Sequence, residues 1–364
     1  MIIKDVTNYI EELAPLNYAE DFDNVGLLVG NYNTNITGVL VTLDTLEETV
    51  NEAIAKKCNL IVSFHPIIFS GLKKLNGNSY VERVVLKAIK NDIAIYATHT
   101  ALDNSKNGVS AKICEVLGLK NTRILIPKTG IIKKLTTYAP IINADALKTA
   151  LFSAGAGNIG NYDKCSFTVL GDGTFRGNED SNPVIGKKGT LHTEKEAKIS
   201  VIYDSKNETA ILKALQENHP YEEIAYEIIT TENVHQDIGM GMIGELSSEM
   251  EEKEFLLFLK RIMKTDCVRH SALINKKIKK VAVLGGAGSF AISNAKKAGA
   301  DAYVSADFKY HEFFTAENSI LLADIGHYES EQFTKNLLVD YLTKKFSNFA
   351  VILSEKSTNP IYYI

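Results

Sequence analysis

Twice in this chain, once near each end, strand-length apolar runs alternate with stretches of helical periodicity, and a segment of different texture lies between them. In the first block, residues 37–43 (TGVLVTL), 60–63 and 93–97 read as buried strands. Residues 46–57, 81–90 and 108–117 read as helices, the last closing at Gly118. In the last block, residues 280–284 (KVAVL), 302–305 and 319–324 read as strands, with one helix over 289–297 and a long final one over 329–346. A strand–helix–strand succession builds parallel crossover units with helices on the sheet faces. Both ends are therefore expected to share one α/β architecture.

The middle, residues 128–243, follows another rule. Residues 134–139 (KLTTYA) and 166–170 (SFTVL) alternate like half-exposed strands, residues 198–203 and 224–230 are strand-like, and residues 144–154 and 208–218 are helical. Two helices among several strands suit an inserted ferredoxin-like α+β module. The expected organisation is an α/β core in two parts, residues 1–127 and 244–364, interrupted by this module. Within the module, Gly171-Asp-Gly-Thr-Phe-Arg-Gly177 is turn-rich and fits either a plain loop or a contact surface.

Composition narrows what such a core does. Forty Lys and Arg against 44 Asp and Glu, with neither sign gathered into a run, argue against a nucleic-acid partner. Four cysteines without a Cys-x-x-Cys pair suggest neither a disulfide framework nor a zinc ribbon, and fit a reducing cytoplasm. No apolar stretch approaches the roughly 18 residues of a membrane span, and the first residues do not resemble a signal peptide.

Candidate chemistry sits where strands end. His65 follows the strand 60–63, and His99 and Asp103 follow the strand 93–97, the edge at which open α/β sheets usually present ligands. More than two hundred residues later, Gly326-His327 ends another strand and Glu331 opens the final helix, an i, i+4 pair on one face. Only a fold that joins both ends makes these one site. Mixed imidazole and carboxylate ligands suit zinc, manganese, iron or cobalt, where an all-oxygen set points to calcium or magnesium. A bridging Asp103 or Glu331 can hold two ions about 3.5–4 Å apart; helix capping is the competing explanation for Asp103 and for the acidic residues at 329 and 331. Gly285, Gly286 and Gly288, between a strand and a helix, either expose backbone N–H groups to an anion or make a tight turn. Asp307, Lys309 and His311, spaced by two, line one side of an extended strand if one forms there. Lys309 then neutralises phosphate, and His311 or His99 handles protons; a solvated charged edge accounts for the same spacing.

Together the run 14–30 (APLNYAEDFDNVGLLVG), His65-Pro-Ile-Ile-Phe69, His99-Thr-Ala-Leu-Asp103, Leu284-Gly-Gly-Ala-Gly-Ser289, Asp307-Phe-Lys-Tyr-His311 and Gly326-His-Tyr-Glu-Ser-Glu331 resemble the dinuclear-metal family of Ngg-interacting-factor-like proteins, labelled GTP cyclohydrolase 1 type 2 homologues. His219-Pro-Tyr-Glu-Glu-Ile-Ala-Tyr226 resembles a motif of the PII- and CutA-like module of the longer members. The resemblance implies a centre of one or two divalent transition ions per subunit, with His65, Asp103, His327 and Glu331 as ligands. It also implies a homohexameric ring with the module capping its openings. The expected activity is hydrolysis of a nucleotide or phosphorylated small molecule; a metal-binding scaffold or metabolite-sensing regulator is the alternative. The family usually carries two adjacent histidines before the proline, and Phe64 stands in the first of those places, so one ion loses a ligand.

Overall fold

The computed structural model describes all 364 residues, which divide into two units: Met1–Pro127 with Gln236–Ile364, and Lys128–His235. The first unit holds two sheets. One has five strands in the order Gly26–Val29, Ala94–Ala97, Leu60–Ser63, Val39–Thr42 and Val351–Leu353, parallel except for the first, which runs antiparallel to Ala94–Ala97. Its three central strands are buried at every position, as expected of a parallel sheet covered on both faces. The other has six strands, and its central Ile278–Ala287, Ala302–Ala306 and Leu321–Asp324 run parallel. The chain's ends are interleaved: Val351–Leu353 joins the sheet of the first block, and Lys120–Lys128 joins that of the last.

Helical periodicity puts apolar side chains inward. In Ile3–Leu13, Ile3, Val6 and Ile10 recur on one face and are all buried, each contributing about 1.5–3 kcal/mol relative to exposure. They pack with Val39, Val41, Tyr96, Val281 and Val304 in a single cluster that takes residues from both sheets. This shared core is what brings the two halves of the sequence together.

In the second unit, Ile132–Pro140, Ala144–Ser153, Phe167–Phe175, His192–Asp204, Glu208–Asn218 and Tyr226–Thr230 follow in the order β-α-β-β-α-β, the ferredoxin-like succession. The sheet is antiparallel, with His192–Asp204 and Ile132–Pro140 central. Leu147, Leu151, Ile211 and Leu215 of the helices close on Leu135, Ile199 and Val201.

Three expectations change. The unit ends at His235 rather than residue 243, because His235–Met250 is one long strand whose Met242 and Ile243 pair with Val283 and Ala282 of the six-stranded sheet. The long final helix is two, His327–Glu331 and Thr334–Lys345, so Glu331 ends a short helix instead of opening a long one. Residues 307–311 are not an extended strand: Asp307 takes a left-handed φ of 58°, and Lys309 caps a 3-10 helix over Tyr310–Ala316.

Candidate metal centre

Three strand-end histidines gather at one edge of the first unit. His65 follows Leu60–Ser63 by two residues, His99 follows Ala94–Ala97 by two, and His327 follows Leu321–Asp324 by three. Ring centroids stand 5.4 Å apart for His65 and His99 and 5.5 Å apart for His65 and His327. His99 adopts a φ of 25°, held by its N–H donating to the Phe64 carbonyl at 2.9 Å; backbone strain of this kind is typically tolerated where surrounding contacts over-determine it.

Each ring is oriented by an aspartate from the neighbouring strand's end. Nδ1 of His65 lies 2.8 Å from Asp44, Nδ1 of His99 lies 2.7 Å from Asp23, and Nδ1 of His327 lies 2.7 Å from Asp307. A carboxylate here is an acceptor, so Nδ1 keeps its hydrogen in the neutral ring and the lone pair falls on Nε2, the arrangement that prepares an imidazole to ligate. Asp23 also accepts from the Thr100 hydroxyl and backbone N–H. Burial works to raise its pKa, but the His99 and Thr100 hydrogen bonds prevail and hold it down at about 2.

The Nε2 atoms of His65 and His327 lie 3.1 and 3.3 Å from one oxygen of Glu331, Oε2. That oxygen is buried and has no hydrogen-bond partner. In the metal-free protein both rings face it as charged partners; once each Nε2 gives up its hydrogen, two nitrogen lone pairs and a carboxylate oxygen converge on one place. The ligand atoms of His65, His327 and Glu331 all lie within 4.8 Å of one another, so the donor set fits a cation. Burial opposes charge on all three groups, yet their mutual attraction prevails: Glu331 is held at about 2, His65 is raised to about 10 and His327 to about 9, the rings also drawing on Asp44 and Asp307.

Asp103 ends the short helix His99–Asp103 and falls outside that tight group. Burial and the facing Glu331 carboxylate push its pKa well above the usual carboxylate range, while His65 and His327 lower it, so it feels the same centre. Phe64 is wholly buried, its ring against His65 at 4.9 Å and edge-on to His99 at 5.6 Å. Where the resemblance leads one to expect a further imidazole, the structure places a phenyl wall.

The glycines serve closeness rather than an anion cradle. The N–H of Gly286 donates to Ser330 Oγ at 2.8 Å and that of Gly288 to the Ala306 carbonyl at 3.3 Å, so both amides are engaged within the fold. Gly286 has φ 69°, and a Cβ there would strike Glu331 Oε1 and crowd His327. Gly286→Ala is expected to destabilise the protein by roughly 1–2 kcal/mol through left-handed strain alone and to displace Glu331, read as a lowered Tm together with reduced metal uptake. Lys309 is exposed, its backbone N–H donating to Glu312 at 2.7 Å. His311 is exposed and packs between Tyr310 and Phe314, with no contact to the three-histidine group.

The three orienting aspartates carry no signature of their own in the sequence: Asp44 ends the run TGVLVTLD, Asp23 lies within the run 14–30, and Asp307 opens the charged triplet 307–311. No helix is long and apolar enough to cross a membrane.

A family model described as Duf34/NIF3 (NGG1p interacting factor 3) matches residues 1–360. A Bacillus subtilis (strain 168) protein named GTP cyclohydrolase 1 type 2 homolog is 37% identical over 99% of this chain and 98% of its own length. Among solved structures, a Bacillus cereus protein related to NIF3 superposes with a TM-score of 0.83 at 34% identity, covering 100% of this chain and 99% of that one. Staphylococcus aureus protein SA1388 does so with a TM-score of 0.79 at 32% identity over the same shares.

Proposed function

This chain belongs to the Duf34/NIF3 family, and we propose that it is a metal-dependent hydrolase of a nucleotide or another phosphorylated small molecule. One divalent transition ion, zinc, iron, manganese or cobalt, would be held by His65, His327 and Glu331, with Asp103 beside it. The convergence of two imidazole Nε2 atoms on one buried carboxylate oxygen carries this reading. Such an ion supplies Lewis acidity, polarising a phosphoryl or carbonyl oxygen and lowering the pKa of water.

The chain's own groups do the rest. Asp44 and Asp307 lock the ligand rings in the tautomer that leaves Nε2 free. His99, anchored through Nδ1 on Asp23, takes and returns a proton at Nε2 beside His65. Phe64 keeps water from reaching His65 and His99 from the core side. Lys309, two residues beyond Asp307, offers a positive charge to anionic oxygens.

The test is metal analysis of the isolated protein, followed by assay of metal-reconstituted protein against nucleotides, GTP among them because relatives carry that name, and against simple phosphoesters. Metal-dependent turnover lost in Asp103→Ala supports the hydrolase. Retained metal without turnover of any substrate overturns it in favour of a metal-binding scaffold, which the phenyl ring at position 64 favours by removing one donor.

Loading should depend on pH with a definite sign. In metal-free protein His65 and His327 have pKa values of about 10 and about 9, above 6.5. Their charged pairs with Glu331 therefore stabilise the fold fully below pH 6.5, and this is lost as pH rises through 9 to 10. An ion needs neutral rings, so binding near pH 7 expels protons and tightens with rising pH. Calorimetry in buffers of different ionisation enthalpy should show heats that track the buffer; buffer-independent heats would contradict the proposed ligands.

A further inference from the structure

Two runs of the inserted unit take no part in the core chemistry, residues 171–177 and 219–226, and they meet across a cavity of about 450 Å³ that lies wholly within Lys128–His235. Phe175 and Arg176 come to its wall from the first run, and Tyr221, Glu222 and Glu223 from the second. The loop after the first run is tied to the second, because the Asn182 backbone N–H donates to Glu222 Oε1 at 2.7 Å. Tyr221 is held in place through its neighbour: its N–H donates to His219 Nδ1 at 3.1 Å, and His219 Nε2 donates to the Tyr138 carbonyl at 3.0 Å. The walls are thus organised before any ligand arrives.

Glu196 forms part of that wall and is only 9% exposed. Its Oε1 accepts from the Tyr221 hydroxyl at 2.7 Å, whereas Oε2 lies over Gly173, where a Cβ would collide with it. The glycine in the first run therefore makes room for the carboxylate. The carboxylate lines the cavity, so a ligand there can donate a charge-assisted hydrogen bond to it. The rings of Tyr221 and Phe175, 5.8 Å apart, favour a cation beside it. At the exposed rim stands Arg176, whose guanidinium forms no ion pair within the chain. An inner acceptor, aromatic walls and an outer cation ask for a ligand with an ammonium at one end and an acid at the other, and the volume falls within the usual range of small-molecule sites.

We propose that this cavity binds a small zwitterion of the amino-acid class, its ammonium on Glu196 and its carboxylate on Arg176. Both motif runs then acquire a role as the two halves of one site. None of the residues that line the cavity belongs to the metal centre, so the outcome does not depend on the hydrolase reading.

The test is isothermal calorimetry on the full-length protein with the common L-amino acids one at a time, and with putrescine and acetate as probes bearing only one kind of charge. Saturable binding of at least one amino acid is expected, weakened about tenfold or more by Glu196→Gln and, independently, by Arg176→Met, the loss that follows removal of a charge-assisted hydrogen bond. Putrescine and acetate should bind far more weakly. Absence of binding by every amino acid, binding that survives both substitutions, or equal binding of the single-charge probes would each overturn the proposal. Arg176 is on the exposed rim, so its variant keeps the test decisive even if Glu196→Gln fails to fold.

Discussion

Glu331→Gln is expected to leave a folded protein that no longer retains metal, with zinc affinity reduced by more than about a hundredfold. Losing a group that merely orients a ligand typically costs about 10–100-fold, and Glu331 contributes the converging oxygen itself. The amide keeps the shape of the carboxylate, so packing of its stem against Gly285 is preserved, but it presents no anionic oxygen to two imidazoles. A second consequence is independent of metal. Without the carboxylate the main charge that raises His65 and His327 is gone, and both rings should titrate closer to 6.5. Elemental analysis and competitive chelator titration read the first effect, and histidine NMR titration reads the second. Full metal loading in the variant would remove Glu331 from the centre.

Asp44→Asn and Asp307→Asn should each weaken metal binding by about 10–100-fold while leaving every direct ligand in place. Asparagine at 307 suits this test well, because residue 307 sits at a left-handed φ that Asn tolerates as readily as Asp. The change therefore isolates the charge that orients His327. At 44 the second carboxylate oxygen accepts from the Thr358 hydroxyl at 2.5 Å, an interaction an amide oxygen can keep. The two aspartates orient different histidines, but both rings face the same Glu331 oxygen, so the double variant should deviate from the product of the single losses. Unchanged affinity in both single variants would show that ring orientation is set by packing alone.

The strands that lead to His65 and His99 were legible because each is a short, mostly apolar run, LIVS or AIYA, bounded by helical periodicity. The long strand His235–Met250 was not: its glycine-rich sequence carries a weak period-two signal, and only pairing with Ile278–Ala287 reveals it. His65, His327 and Glu331 were recognisable by residue type and by position after strands. The aspartates behind them were not, since an Asp after a strand reads as a turn until a neighbouring strand brings an imidazole to it. The run 285–288 read as a turn, whereas Gly285–Ala287 continue the strand Ile278–Ala287; which amides were free was not legible, because Ser330 and Ala306, which engage two of them, arrive from elsewhere in the chain.

The order of residues alone settled the α/β character of the core and pointed to a middle segment of different texture, because hydrophobic period and strand-end position are local properties of the chain. Folding decided which nitrogen of each histidine is free, that Glu331 rather than Asp103 closes the tight group, and that Phe64 is a wall. Those are matters of direction and distance, and they exist only once a core shared by two sheets has brought both ends of the chain to one edge.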